Sequence, residues 1–365
     1  MNLSSLGWDD FFASAFQSHA SSGLLPARVA VEHRHACVLL SAAGDFTATC
    51  TGRLLHDTLD RSSLPAVGDW VAIQPRAGSA RADGTAQADI HAVLPRRSAV
   101  SRGAPGGNHL IQVLAANIDT VFLVTGLDGN FNLRRIERLL TAARASGAQP
   151  VVVLNKADLH PDSRAAEASV KAVARTTPVA ILSAACDPDL APLEPWLLPG
   201  ATVAFLGSSG VGKSTLINRL LGADRLATGT VSAAVGKGRH TTTRRELMVL
   251  PGGALVIDTP GLRELQLGEA DDDDLASVFD DIAALAARCR FHDCAHEAEP
   301  GCAIRAALND GTLDRSRWES YRKLCREQAY AARRVDLQLA RASRDAWKKI
   351  HRAYRQRCQF ERDSE

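Results

Sequence analysis

Three short stretches carry residues whose types and spacing suit nucleotide chemistry. Residues 207–214 read G-S-S-G-V-G-K-S. Glycines at this spacing, Gly207, Gly210 and Gly212, let backbone N–H groups turn inward around phosphate oxygens. Ser208, Ser209 and Val211 complete the loop, and Thr215 follows it. Lys213 is placed to neutralise charge between β- and γ-phosphates, and the Ser214 hydroxyl to ligate Mg2+. Residues 258–261 read D-T-P-G. Asp258 can hold Mg2+ through water, and the Gly261 N–H can meet a γ-phosphate and register its loss. Residues 155–158 read N-K-A-D. The Asp158 carboxylate can accept the ring N–H and the exocyclic amine of guanine. Adenine offers no such pair, and an unpaired carboxylate facing it would be costly. Asn155 supports the base edge and the phosphate loop, while the Lys156 stem can lie along the ring. One apolar run later, a backbone N–H at Ser183-Ala184 can reach the guanine carbonyl. Taken alone, N-K-A-D reads equally well as a cap after a strand. The other two stretches in the same region argue against that.

The elements that must position these loops are legible as unbroken apolar runs. I-D-T-V-F-L-V-T, P-V-V-V-L-N, P-V-A-I-L-S and T-V-A-F-L-G read as buried parallel strands, with helices near Leu133–Ser146 and Ser163–Arg175 between the first three. Leu255–Asp258 is a further strand, and Lys213–Leu221 a helix opening on the phosphate loop. In such α/β sheets the ligand loops lie at the strand C-terminal ends. The order here is base loop, Ser-Ala loop, phosphate loop, then D-T-P-G. Ordinary GTP-binding proteins put the phosphate loop first. A circular permutation rebuilds the same site, and it leads D-T-P-G directly into the C-terminal region.

Flanking this α/β region the texture differs. Between Ala27 and about Val100, short alternating runs separated by Gly, Asp and Pro predict a small antiparallel barrel, an OB-fold or an SH3-like barrel. Residues 1–25 read as a poorly ordered arm with a short helix around Phe11–Phe16, and Ser101–Asn108 as a linker. After A-D-D-D-D-L at 270–275, a solvated boundary or a helix N-terminus, the chain turns helical. Cys289, Cys294, His296 and Cys302 then give C-x4-C-x-H-x5-C. Three thiolates and an imidazole complete a tetrahedral, structural Zn2+ site. His292 competes for the fourth place on spacing alone. Cys37, Cys50, Cys186, Cys325 and Cys358 have no partner spacing and read as free thiols.

The whole chain has 365 residues and a net charge of +2, which fits two or three domains. The charge is uneven: Thr312–Glu365 holds 15 Lys/Arg against 8 Asp/Glu, a balance of +7. That stretch is either a solvated helical face or a surface for nucleic acid. Nothing reaches about 18 consecutive apolar residues, and the N-terminus carries acid where a signal peptide needs positive charge. A cytoplasmic protein without membrane association is expected, with cysteines serving as thiols or ligands.

The motif order, together with A-A-N-I-D at 115–119, G-R-H-T-T-T at 238–243 and the Cys/His cluster, resembles the ribosome small-subunit-dependent GTPase family RsgA (also called YjeQ). The resemblance covers essentially residues 27–330. It implies an arm (1–26), an OB-fold barrel (27–102), a circularly permuted P-loop GTPase domain (103–272) and a helical zinc-binding domain with a basic extension (273–365). It selects His296 over His292 as the zinc ligand. It also implies GTP hydrolysis to GDP, stimulated by the small ribosomal subunit, in that subunit's late maturation. Leu262 stands where many GTPases carry a water-orienting glutamine, so the resemblance points to His240 for that task. The alternative for His240 is a contact with rRNA or solvent. Thr242 or Thr243 completes the Mg2+ shell. Gly210 replaces an asparagine found in potassium-activated relatives, so no potassium dependence is expected. Arg322, Lys323, Arg326, Arg333 and Arg334 then become candidate rRNA contacts, continued by Lys348, Lys349, Arg352, Arg355 and Arg357. In the barrel the candidates are Arg28, Arg34, Arg96 and Arg97. A monomer is expected. The competing readings are a regulatory GTPase serving another RNA or protein, and an ATP-dependent P-loop kinase, which N-K-A-D disfavours.

Overall fold

The computed structural model describes residues 2–58, 61–78, 85–103, 111–129, 131–223, 245–258 and 272–330. The N-terminal arm is packed, in contrast to the sequence expectation. A 3-10 turn at Ser4–Leu6 precedes helix α1 (Asp10–Ala20), whose first amides at Phe11 and Phe12 are capped by the Asp9 carboxylate. Phe12 and Phe16, one turn apart, are buried with Leu6, and the Trp8 ring meets Trp70 edge-on at 4.7 Å. Each such buried side chain contributes about 1.5–3 kcal/mol. The small polar residues between them mask the stripe.

Strands β1 (Leu25–Glu32), β2 (Cys37–Ser41), β3 (Gly44–Cys50), β4 (Trp70–Pro75) and β5 (Ala86–Val93) pair in the order β1-β2-β3-β5-β4-β1. Only β3–β5 is parallel, and β1–β4 closes the ring. Helix α2 (Gly52–Asp57) follows β3. This closed five-stranded barrel has the OB-like connection and resolves the choice left open by alternation alone. A hairpin of β6 (Ala99–Gly103) and β7 (Ile111–Ala116) follows. The expected linker therefore begins inside a strand, and its residues 104–108 lie outside the described residues.

The α/β region contains β8 (Thr120–Gly126), α3 (Leu133–Ala145), β9 (Gln149–Asn155), α4 (Ser163–Ala174), β10 (Val179–Ile181), β11 (Thr202–Leu206), α5 (Lys213–Leu221), β12 (Glu246–Val249) and β13 (Leu255–Asp258). The sheet order is β10-β9-β8-β11-β13-β12, parallel except for β12. The chain runs outward from β8 to β10, then returns to β11 on the other side of β8. That reversal is the topological switch point where α/β sheets bind ligands. β12 also bonds to β1, so barrel and α/β sheet are continuous.

Arg28 clamps this junction. It is 1% exposed, and its guanidinium donates to the carbonyls of Leu6, Gly68 (3.2 Å) and Asn117 (3.1 Å), one from the arm, one from the barrel and one from the approach to β8. Burial pulls it down to about 10, eased by the charges of Asp119 and Asp69. Arg96 is tied to buried Asp69 at 2.6 Å, and Arg97 pairs with Asp9 and lies over Phe11 and Phe12. Three of the four candidate RNA-binding arginines of the barrel are thus engaged in internal contacts, although Arg97 remains exposed, as does Arg34.

The C-terminal region comprises α6 (Asp272–Val278), α7 (Asp280–Ala286), α8 (Ala303–Asn309) and a helix over 315–330, here α9. The acidic run opens α6. α9 docks on α3 through polar contacts. Glu137 on α3, fully buried, accepts from Arg317 (2.8 Å), Ser320 (2.7 Å) and its neighbour Arg134 (2.7 Å). Arg317 also grips Asp281 with two 2.8 Å bonds. Arg134 reaches Asp314 at 2.9 Å, and Arg138 pairs with Glu327. The exposed face of α9 presents Arg322, Lys323 and Arg326. Residues 331–365, including Arg333, Arg334, Lys348, Lys349, Arg352, Arg355 and Arg357, lie outside the described residues. No described helix is long and apolar enough to cross a membrane.

Candidate nucleotide and metal sites

Three loops that are far apart in sequence meet at the C-terminal ends of β9, β10 and β11. Asn155, 1% exposed at the end of β9, holds them together. Its Nδ2 donates to the Val211 carbonyl at 2.8 Å, and its Oδ1 accepts from the Ala184 N–H at 2.8 Å. One side chain thereby fixes the base loop against both the phosphate loop and the Ser-Ala loop. Lys156 adopts a left-handed backbone (φ 63) that turns the chain out of β9 into the 3-10 turn Ala157–Leu159. Its ammonium pairs with Asp128 at 2.7 Å. Asp158 is exposed, and one carboxylate oxygen accepts from the Ser183 hydroxyl. The Ser183 N–H is bound to Asp187 at 2.6 Å, which shapes the Ser-Ala turn. The Ser183 hydroxyl thus ties Asp158 to the Ser-Ala turn, while the N–H groups of Ser183 and Ala184 are both engaged within the protein, at Asp187 and Asn155.

The phosphate loop leaves β11 at Gly207 and enters α5 at Lys213. Gly207 (φ 148) and Gly212 (φ 98) adopt backbone conformations that side chains rarely share. A Cβ at Gly207 would lie 2.2 Å from the Val124 carbonyl, and one at Gly212 2.2 Å from Asn155 Nδ2. Gly212 is thus required by the side chain that joins the loops, and Gly207 by the close approach of β8. Lys213 Nζ bonds to the carbonyls of Gly207 and Ser208, each at 2.7 Å, folding back over its own loop. Ser214 and Thr215 open α5, and Asp258 ends β13, which is separated from β8 by β11 alone. Ser214 and Asp258 thus stand at one end of adjacent elements, an arrangement able to hold a divalent cation. Ser209 and Gly210 are exposed at the loop tip. The candidates His240, Thr242, Thr243 and Gly261 lie outside the described residues.

Motif reading did not find Asp128 or Arg135. Asp128 stands two residues beyond β8, at a strand C-terminal end where ligand loops belong. That position was the available signal. Arg135, in the first turn of α3, reaches Ser208 Oγ at 3.4 Å, and nothing in its sequence neighbourhood marks it.

The second constellation joins Cys289, Cys294, His296 and Cys302, whose ligand atoms all lie within 4.8 Å of one another. Cys289 Sγ and Cys302 Sγ each sit 3.5 Å from His296 Nδ1 and 4.0 Å from one another. A tetrahedron with bonds of about 2.3 Å to sulfur and 2.0–2.1 Å to nitrogen has edges of about 3.6 and 3.8 Å, so the donor set fits Zn2+. His296 reaches its place through a left-handed backbone (φ 62), whereas His292 is fully exposed. The structure therefore separates the two histidines that spacing alone left in competition. Desolvation opposes thiolate formation at Cys289, but amides of Ala303 and Ile304 at the start of α8 lower it overall. Desolvation and the neighbouring thiols push Cys294 up to about 11, a repulsion that a cation would relieve.

A family model described as RsgA GTPase matches residues 93–268. The curated protein "Small ribosomal subunit biogenesis GTPase RsgA" of Opitutus terrae is 68% identical over 363 residues, covering 99% of each chain. A protein of the same name from Syntrophotalea carbinolica is 47% identical over 345 residues, covering 92% of each. Among solved structures, YjeQ from Thermotoga maritima superposes with a TM-score of 0.61 at 24% identity, over 84% of this chain and 99% of that one. YloQ, titled a circularly permuted GTPase, gives 0.56 at 23%, over 84% and 95%. These two likenesses support the fold, and the sequence identities carry the kinship. With its base loop ahead of its phosphate loop and a matching relative along nearly its whole length, the chain belongs to the RsgA GTPase family.

Proposed function

We propose that this protein hydrolyses GTP to GDP and phosphate, is stimulated by the small ribosomal subunit, and acts as a late maturation factor for that subunit. The observation that carries the reading is Asn155, which binds the base loop, the Ser-Ala loop and the phosphate loop into one site. The names of its relatives supply the ribosomal assignment. Asp158, with Lys156 and the Ser183-Ala184 turn, would select guanine. Gly207–Gly212 with Lys213 and Thr215 would hold the phosphates. Ser214 and Asp258, with Thr242 or Thr243, would hold Mg2+, which offsets phosphate charge when bound. His240 would orient water, and Gly261 would sense the γ-phosphate. The Cys289, Cys294, His296 and Cys302 set would hold one structural Zn2+. Arg322, Lys323 and Arg326 on the exposed face of α9 would meet rRNA phosphates. We place the protein in the cytoplasm as a monomer.

GTP turnover measured with and without small subunits tests this reading. Slow turnover alone and a large increase with subunits is the expected result. Rapid turnover that subunits leave unchanged would overturn the ribosomal role.

A further inference from the structure

Arg135 stands in the first turn of α3, capped by Asn132, which accepts from the N–H groups of Arg134 (2.9 Å) and Arg135 (3.2 Å). Its Nη1 lies 3.4 Å from Ser208 Oγ, on the second residue of the phosphate loop. Lys213 Nζ bonds to the carbonyl of that same residue. Two cationic side chains from different helices therefore converge on Ser208. Arg134, Glu137 and Arg138 are engaged with α9, and Arg135 projects about 100° around the helix from Arg134. The docked domain thus fixes the turn that aims Arg135. A long bond between an exposed guanidinium and a hydroxyl contributes little to stability. A planar fork of donors beside a phosphate cradle is well suited to phosphoryl oxygens.

We propose that Arg135 is a catalytic residue acting in cis, its guanidinium binding the transferring phosphoryl group during GTP hydrolysis. The inference rests on the hydrolase reading above. In the reaction, the water oxygen bonds to the γ-phosphorus. The bond from that phosphorus to the β–γ bridging oxygen breaks, and its electron pair stays on GDP. The water proton leaves to phosphate or solvent. Arg135 forms no covalent bond and keeps its proton. Its N–H groups meet the charge on the bridging and equatorial oxygens, which grows as the bond breaks. Leu262, directly after D-T-P-G, has no polar group to offer that charge, and a cation from α3 can supply one.

The test compares wild type with Arg135→Ala and Arg135→Lys, with and without small subunits. The readouts are GDP affinity, single-turnover GTP hydrolysis and trapping of GDP with tetrafluoroaluminate, a mimic of the transferring group. Arg135→Ala should keep GDP affinity, lose tetrafluoroaluminate trapping and slow hydrolysis on the order of 100- to 1000-fold. Arg135→Lys should recover part of the rate. Unchanged hydrolysis in Arg135→Ala, or a fall in GDP affinity matching the fall in rate, would overturn the proposal. Wild type without turnover even with subunits would refute the hydrolase reading itself. An active wild type with an equally active Arg135→Ala would refute this inference alone.

Discussion

Replacing Glu137 by alanine should release α9 from α3. Glu137 is fully buried and accepts from three donors, Arg317, Ser320 and Arg134, at 2.7–2.8 Å. Removing one partner of a buried ion pair costs about 3–5 kcal/mol, because the other charge is left uncompensated. Arg317 would still hold Asp281 and the Val278 carbonyl. The loss therefore falls at the low end, about 3 kcal/mol. Glu137→Gln keeps an acceptor oxygen without the charge and should cost about 1–2 kcal/mol. Trp318 lies on α9, stacked with Tyr321 and edge-on to His296, so its fluorescence follows this interface during urea unfolding. A Trp318→Phe background subtracts the other tryptophans. The decisive version is a double-mutant cycle with Arg317→Met. Contacting residues in one network should couple by at least about 1.5 kcal/mol. If the two effects added within about 0.5 kcal/mol, the docking argument would be refuted.

Gly212→Ala should weaken GDP binding on the order of 100-fold, because strain at φ 98 and the 2.2 Å approach to Asn155 together cost about 3 kcal/mol. Titration beside circular dichroism checks that the fold survives. The α7–α9 contact should also weaken in acid. Burial raises the Asp281 carboxyl, but the bonds and charge of Arg317 and the charge of Arg175 hold it below its ordinary range overall. A depressed folded value means stability that is present at neutral pH and lost as pH falls below about 4. Asp281→Asn should flatten that part of the Trp318 unfolding profile. Cys302→Ser should lower bound metal and disturb Trp318 fluorescence, as should chelation of wild type. Full metal content in Cys302→Ser would exclude it as a ligand.

The nucleotide loops were readable because each is a local motif at the end of an apolar run, and permutation changes their order without changing their chemistry. The Cys/His cluster was readable for the same reason, although spacing alone leaves His296 and His292 in competition, and the family resemblance and the geometry both select His296. Features set by distant partners were not readable. Phe12 shows its purpose only against Trp70 and Phe16 only against Trp8, and Arg28 only against three carbonyls from three segments. Glu137 and Arg317 look like surface charges on amphipathic helices until α9 lies on α3. The β12 strand is four residues long, too short for its alternation to register, and its partners are β13 and β1.

The central claim is that separated loops in permuted order form one guanine-selective site. Equilibrium titration of GDP and ADP against wild type and Asp158→Asn tests it most directly. An amide presents a donor where the carboxylate accepts from the guanine amine, at about 1.5–3 kcal/mol per lost charge-assisted bond. Wild type should prefer GDP by at least about 1000-fold, and Asp158→Asn should lose most of that preference. Comparable ADP and GDP affinities in wild type, or undiminished selectivity in Asp158→Asn, would contradict the account.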